Sequence, residues 1–268
     1  MVATTTVFAD LVRQVGGEMV TVSSLVPAGG AVETFDPTPS DLRAVNDADL
    51  IVMNGLGLDD WLAPVLQDSG SAAPIVVLAE NLDGVIYQAG EGADEPENPH
   101  LWLDVRYAMK YVERIIDALA AADPVNADTY RASGATYLQR LATLDTETRD
   151  RILKIPASNR LIVSFHEAFP YFAAAYGLTI VGTIVDAPGQ DPSAGEIAAL
   201  VDAIKASGAR AVFGEAQFSP DLVQTVAQEA GVVVETGLYN DSLGDPPVDT
   251  YEGLIRWDAD RVVEALGG

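Results

Sequence analysis

The chain has 268 residues, of which 40 are acidic and 15 basic, and it carries no cysteine. A formal charge of -25 excludes a nucleic-acid partner, which needs a basic footprint, and leaves a cation as the natural ligand, although surface acid also serves solubility. The missing cysteines exclude disulfides, thiolate metal sites and a cysteine nucleophile, while 49% hydrophobic and 21% charged residues exclude disorder and allow two domains with separate cores.

In chain order, residues 3–8 are rich in Thr and Val and predict a strand, and residues 9–15 predict a helix ending at Gly16-Gly17. A second strand is expected over 20–26. It runs into a Gly- and Pro-interrupted loop, 27–39, and Ser40 is read as the N-cap of a helix over 41–46. A strand over 49–53 completes a strand-helix-strand-helix-strand unit, which predicts a parallel sheet. A helix over 60–67 and a strand over 74–78 follow. Residues 90–98 hold Glu91, Asp94, Glu95 and Glu97 and are expected to form an exposed, mobile loop leading to Pro99-His100.

Helical spacing then covers 107–122 and, beyond Pro124, about 125–153. A run of roughly 28 residues would measure about 40 Å, longer than one small domain needs, so it is read as a rigid strut between domains. Gly134 and the many Ala and Thr residues do not sustain a coiled-coil seam. After Pro156 the alternation resumes, with strands at 160–164, 179–184, 211–214 and 232–235, helices at 169–176, 194–207 and 220–230, and a closing helix over 250–266. The fold class expected is α/β: two lobes, each a parallel sheet flanked by helices, joined by one long rigid helix. The domains expected are an N-terminal lobe over 1–123, the linking helix over 124–154 and a C-terminal lobe over 155–268.

In open parallel sheets ligands bind beyond the carboxyl ends of the strands. Four residues fall there: Glu33, His100, His166 and Asp241. The chain has two histidines in all, and a lone His is more often a core or surface residue than a ligand. Two imidazoles with two carboxylates, however, suit Zn, Mn or Fe, balance the charge of a dication in a cleft, and lack the sulfur that Cu(I) prefers.

Several segments resemble, in order along nearly the whole chain, motifs of the ZnuA/TroA/PsaA-like metal-binding lipoproteins, the solute-binding components of bacterial zinc and manganese ABC importers. They are Val2-Ala3-Thr4-Thr5-Thr6 with Asp10-Leu11-Val12, Phe35-Asp36-Pro37-Thr38-Pro39-Ser40-Asp41, Asn54-Gly55-Leu56-Gly57-Leu58 with Trp61-Leu62, Asn98-Pro99-His100-Leu101-Trp102-Leu103-Asp104, Ser164-Phe165-His166-Glu167-Ala168-Phe169 with Tyr171-Phe172, Glu215-Ala216-Gln217-Phe218-Ser219, and Asp241-Ser242-Leu243-Gly244. The resemblance implies two lobes of parallel sheet with one long helix between them. It implies His100, His166 and Asp241 as metal ligands, and Glu215 as a neighbour that orients a histidine by accepting its far N–H. It further implies an extracytoplasmic protein, with a signal sequence lying outside these residues, that binds Mn2+ or Zn2+ as a monomer. Such a protein delivers the ion to an ABC permease and reaches the membrane only through that permease or a lipid anchor.

One position departs from the pattern. The family has His where this chain has Glu33, in Val32-Glu33-Thr34-Phe35-Asp36-Pro37. Glu33 coordinates in place of the imidazole, or points away, or marks a deliberate replacement of His. Coordination is the reading adopted, because Glu reaches about as far as His and a carboxylate beside a cation gains more by binding it. The short, His-free acidic loop before His100 leans toward manganese, and His166 toward zinc. Trp102 and Phe165 are read as core, and Asp36 and Asp41 as serving the loop and the helix start. Two other readings stand beside transport: a metal-dependent hydrolase, which would use Glu33 or Glu215 as general base but has no His-Glu-x-x-His signature, and a soluble metallochaperone.

Overall fold

The structure is a computed structural model and describes residues 1–90 and 97–267. Two four-stranded sheets, all parallel, share one strand order. In the N-terminal sheet it runs β2 (Ser23–Ser24), β1 (Val2–Ala3), β3 (Ile51–Met53), β4 (Ile75–Val77), and in the C-terminal sheet β6 (Thr179–Thr183), β5 (Leu161–Ser164), β7 (Ala211–Glu215), β8 (Val233–Leu238). This order reverses direction beside the first strand of each sheet. Because parallel crossovers are right-handed, the reversal places helices on both faces and opens a crevice at the strand ends.

The first expected strand is shorter than the Thr/Val composition suggests. Helix α1 (Thr6–Gly16) starts inside the Thr run, since Thr5 is extended and its hydroxyl accepts from the Phe8 N–H at 3.3 Å. The cap ends the strand where β-branched composition alone would continue it. Helix α2 (Pro39–Asn46) is likewise capped by Thr38 and not by Ser40, and Asp41 accepts from the Thr38 N–H at 2.7 Å, which gives Asp41 its helix-start role. The strand expected over 20–26 contracts to Ser23–Ser24. Of the acidic segment, residues 91–96 lie outside the described residues, while Glu97 bridges Ala89.

After α3 (Leu62–Ser69), α4 (Val105–Ala122) packs against α5 (Ala127–Ile152), the expected long helix. Its 26 residues extend about 39 Å. Gly134 explains the close fit, since a Cβ there would meet the Ile116 side chain at 2.2 Å. Helix α5 touches α1 and α4 on one side and α6 (Pro170–Tyr176) and α9 (Tyr251–Leu266) on the other. Helices α7 (Ala194–Ser207) and α8 (Asp221–Ala230) cover the C-terminal sheet.

Separate cores are not what the packing shows. One continuous apolar cluster runs from Phe8, Trp102 and Tyr111 through Tyr137 and Leu141 of α5 to Phe172, Phe213 and Leu254, with a smaller cluster within each lobe. Polar ties reinforce it: Asp10 of α1 accepts from the Tyr251 N–H at the start of α9 (2.9 Å), and Thr6 accepts from the Leu243 N–H (2.7 Å). The crevice between the sheets therefore has stiff walls.

Candidate metal centre

The four side chains placed after strands meet in this crevice. His166 follows β5 and Glu215 ends β7, the two strands beside the point where the strand order reverses. His100 enters on the segment 98–104, which Asn54 supports by donating to the Pro99 carbonyl at 3.0 Å. Asp59 holds Asn54 in turn, accepting from the Asn54 and Gly55 amides and the Thr4 hydroxyl. The Asn54-Gly55 turn motif thus acts on the site from a distance.

His100 Nε2 lies 3.4 Å from His166 Nε2, 3.4 Å from Asp241 Oδ1 and 3.8 Å from Glu33 Oε1. Ligand atoms of Glu33, His100 and His166 all fall within 4.8 Å of one another. Two donors bound at about 2.1 Å in a tetrahedral array stand about 3.4 Å apart, so the cluster has the dimensions of a single coordination sphere. His100, His166 and Asp241 are 2%, 0% and 1% exposed, whereas the Glu33 side chain keeps 20%, which makes Glu33 the member on the solvent side.

The outer hydrogen bonds decide which ring nitrogens face the cluster. His166 Nδ1 lies 2.8 Å from Glu215 Oε2, and a carboxylate can only accept, so Nδ1 carries a proton and Nε2 is the nitrogen turned inward, free to bind an ion once its own proton is displaced. His100 Nδ1 lies 3.2 Å from Asn98 Oδ1. That oxygen also accepts from the His100 amide, while Asn98 Nδ2 donates to the Glu167 carbonyl. His100 Nε2 is thereby turned inward as well.

Asp241 completes the picture. Both of its carboxylate oxygens are buried without a hydrogen-bond donor among the described residues. Leaving a buried anion unsatisfied is costly, and the arrangement is one that a cation relieves. Without a cation, a proton takes part of that role. Burial opposes charge on His166, but Glu215, with Glu33 and Asp241, outweighs it and pushes the ring up to about 10. Burial moves His100 the other way, helped by His166 and resisted by Asp241.

Glu215 lies against the outer nitrogen of His166. The same Oε2 also accepts from Asn240 Nδ2 at 3.0 Å and from Gln217 Nε2 at 3.3 Å, and Asn240 Oδ1 receives the Asp241 N–H at 2.8 Å. Asn98 and Asn240 were not singled out from the sequence. Each adjoins a candidate ligand, Asn98 two residues before His100 and Asn240 one before Asp241, and a short amide at such a spacing can reach back to a neighbour. Trp102 is core, as expected, and its ring N–H also donates to the Asn240 carbonyl at 3.0 Å. Phe165 stacks on Phe218 with ring centroids 4.8 Å apart.

Among the described residues, the loops beyond the strand ends contain no Lys or Arg: 25–38, 54–61, 78–90, 97–104, 165–169, 184–193, 216–220 and 239–250. This rim of the crevice therefore favours cations.

Comparison with known proteins shows the family and the fold. Residues 1–265 match the ZnuA family, described as zinc-uptake complex component A, periplasmic. The manganese-binding lipoprotein MntA of Halalkalibacterium halodurans is 33% identical over 268 residues, covering 99% of this chain and 88% of its own length. The iron ABC transporter substrate-binding lipoprotein MtsA of Streptococcus pyogenes is 27% identical over 274 residues, with the same coverage. Among solved structures, the periplasmic zinc-binding protein TroA of Treponema pallidum superposes with a TM-score of 0.91 at 25% identity, covering 100% of this chain and 98% of that one. The Mn-bound periplasmic metal-binding protein of Candidatus Liberibacter asiaticus gives 0.88 at 25% identity, covering 99% and 98%. The chain belongs to the ZnuA family of metal-binding, substrate-binding proteins of ABC transporters.

Proposed function

We propose that this protein captures one divalent transition metal ion, Mn2+ or Zn2+, with Glu33, His100, His166 and Asp241, and that Glu215 orients His166. The observation that carries the reading is the pair of inward-facing Nε2 atoms 3.4 Å apart beside the buried carboxylate of Asp241, which has no hydrogen-bond donor among the described residues. Two carboxylates and two neutral imidazoles around a dication sum to zero charge, the balance a buried site favours. The oxygen donors suit Mn2+ and the imidazoles suit Zn2+. The ion is cargo: four protein donors hold it, and no residue is assigned a catalytic step.

The protein works outside the cytoplasm, as its lipoprotein and periplasmic relatives do, and hands the ion to an ABC permease as a monomer. Membrane contact is through the permease or a lipid anchor. Residues 1–123 and 155–268 act as two lobes, with 124–154 as the strut between them. The shared apolar cluster and the packing of α5 and α9 support small shifts on binding and argue against wide opening.

Calorimetric titration with Mn2+ and Zn2+ tests this reading. One ion per chain is expected, with affinity weakened at least tenfold in Glu33→Ala and essentially lost in His100→Ala and His166→Ala. Unchanged affinity in Glu33→Ala contradicts the four-donor site.

A further inference from the structure

Glu33 differs from the other three members of the cluster in exposure, its side chain keeping 20% where theirs are buried. His166 is fixed by Glu215, His100 by Asn98, and the Asp241 backbone by Asn240, all in buried surroundings. Glu33 belongs to the loop 25–38, which contains Pro27, Pro37 and Gly29-Gly30 and whose internal backbone bonds include Gly30 N–H to Pro27 O and Phe35 N–H to Val32 O. Among the described residues, the C-terminal lobe supplies a further tie to this loop. The Gly29 N–H donates to Ser242 Oγ at 2.5 Å, while Ser242 donates its own proton to the Leu243 carbonyl at 3.0 Å.

Ser242 is 2% exposed and directly follows Asp241. Gly29 has φ +74, a conformation a side chain would strain, and it aims its N–H at that hydroxyl. On the far side of the loop, Gly189 leaves room for Thr34, since a Cβ there would stand 3.3 Å from Thr34 Cγ2. The loop carrying Glu33 is therefore docked across the crevice onto the loop carrying Asp241, four residues from Glu33 and one from Asp241.

We infer that Ser242 is a positioning residue for the metal site: its hydroxyl latches the Glu33 loop in the register that brings Glu33 to the ion, and this loop is the door through which the ion enters and leaves. The inference rests on the proposed role of Glu33 as a donor. Three buried donors stay in place and one partly exposed donor travels with a short loop, so loading needs no separation of the lobes. The latch sets how long the loop stays closed, and its loss acts mainly on the rate of ion release.

The test is a double-mutant cycle read with MnCl2, and in parallel with ZnCl2, on the full chain. Ser242→Ala should raise Kd about five- to tenfold, the effect of one buried hydrogen bond, through faster dissociation. In the Glu33→Ala background the same substitution should change Kd by less than about twofold. An equal effect in both backgrounds, or none where Glu33 is present while Glu33→Ala still weakens binding, overturns the latch and leaves the site reading intact. A Glu33→Ala chain that binds as tightly as its parent overturns the four-donor site and the latch together. Should Ser242→Ala not fold, hydrogen exchange of the unaltered chain read by mass spectrometry decides. The segment 27–35 should be protected and slow further with Mn2+, whereas rapid exchange unaffected by metal overturns the proposal.

Discussion

His100 and His166 present their Nε2 atoms to each other across 3.4 Å, and each imidazole has its Nδ1 engaged on the outer side, by Asn98 and Glu215 respectively. Two lone pairs facing one another beside a buried carboxylate repel unless a positive charge lies between them. The outer partners are thus as much a part of the site as the donors.

Removing an outer partner should weaken binding without removing a donor. Glu215→Gln keeps the shape of the side chain but allows the wrong His166 tautomer, and Asn98→Asp leaves His100 beside an added charge. Glu215→Gln is expected to weaken Mn2+ or Zn2+ binding about 10- to 100-fold. Calorimetry paired with a thermal melt separates this from a folding defect; an unaltered Kd would show that Glu215 does not orient His166.

Proton release follows from the same geometry. With His166 pushed up to about 10 by Glu215 against the opposing effect of burial, the metal-free protein holds a proton there at neutral pH, and the ion must displace it. Binding at pH 7 to 8 should release about one proton, and Kd should weaken about tenfold for each unit of pH lowered. Titrations in buffers of different ionisation enthalpy count the proton. The sign for stability follows too: His166 is raised in the folded state, so its contribution to metal-free stability is fully present below about 6.5 and is lost as pH rises through about 10. A metal-free Tm that climbs across that window would contradict the assignment.

Salt should act on the rate of capture more than on the bound state. Among the described residues, the rim loops contain no Lys or Arg, so the crevice attracts cations over roughly a Debye length, about 30 Å at 0.01 M and about 8 Å at 0.15 M. Stopped-flow association of Mn2+ is expected to slow several-fold between these ionic strengths, while dissociation changes little. An association rate independent of salt would mean that the rim does not steer the ion.

Much of this arrangement was legible in the residues. The alternation of strand and helix signals supplied both sheets and the long helix, because the apolar periods of buried strands and of α5 are local properties. The positions of His166 and Glu215 followed from their place after strands. What stayed hidden depended on partners distant in sequence or on single caps. Thr5 stops β1 within a run of β-branched residues, which composition cannot register. Asn98 and Asn240 act through contacts that exist only once residues 98–104, 165–167 and 238–241 have converged. Gly134 counted in the sequence only against a coiled-coil seam, and its packing role is visible only against Ile116 of the neighbouring helix.

That packing gives a stability prediction separate from metal. Gly134→Val places a branched side chain where even a single added Cβ would stand 2.2 Å from Ile116 Cδ1. A loss of about 1–3 kcal/mol is expected from overpacking, seen as a lower denaturation midpoint in chelator. A variant as stable as its parent would show that α4 and α5 can separate without cost.

The most direct test of the central claim is anomalous diffraction from crystals grown with Mn2+. The account predicts one strong peak in the crevice, within about 2.0–2.3 Å of His100 Nε2, His166 Nε2 and carboxylate oxygens of Glu33 and Asp241. A peak elsewhere, or an ion in the crevice that leaves Glu33 or Asp241 uncoordinated, would contradict it.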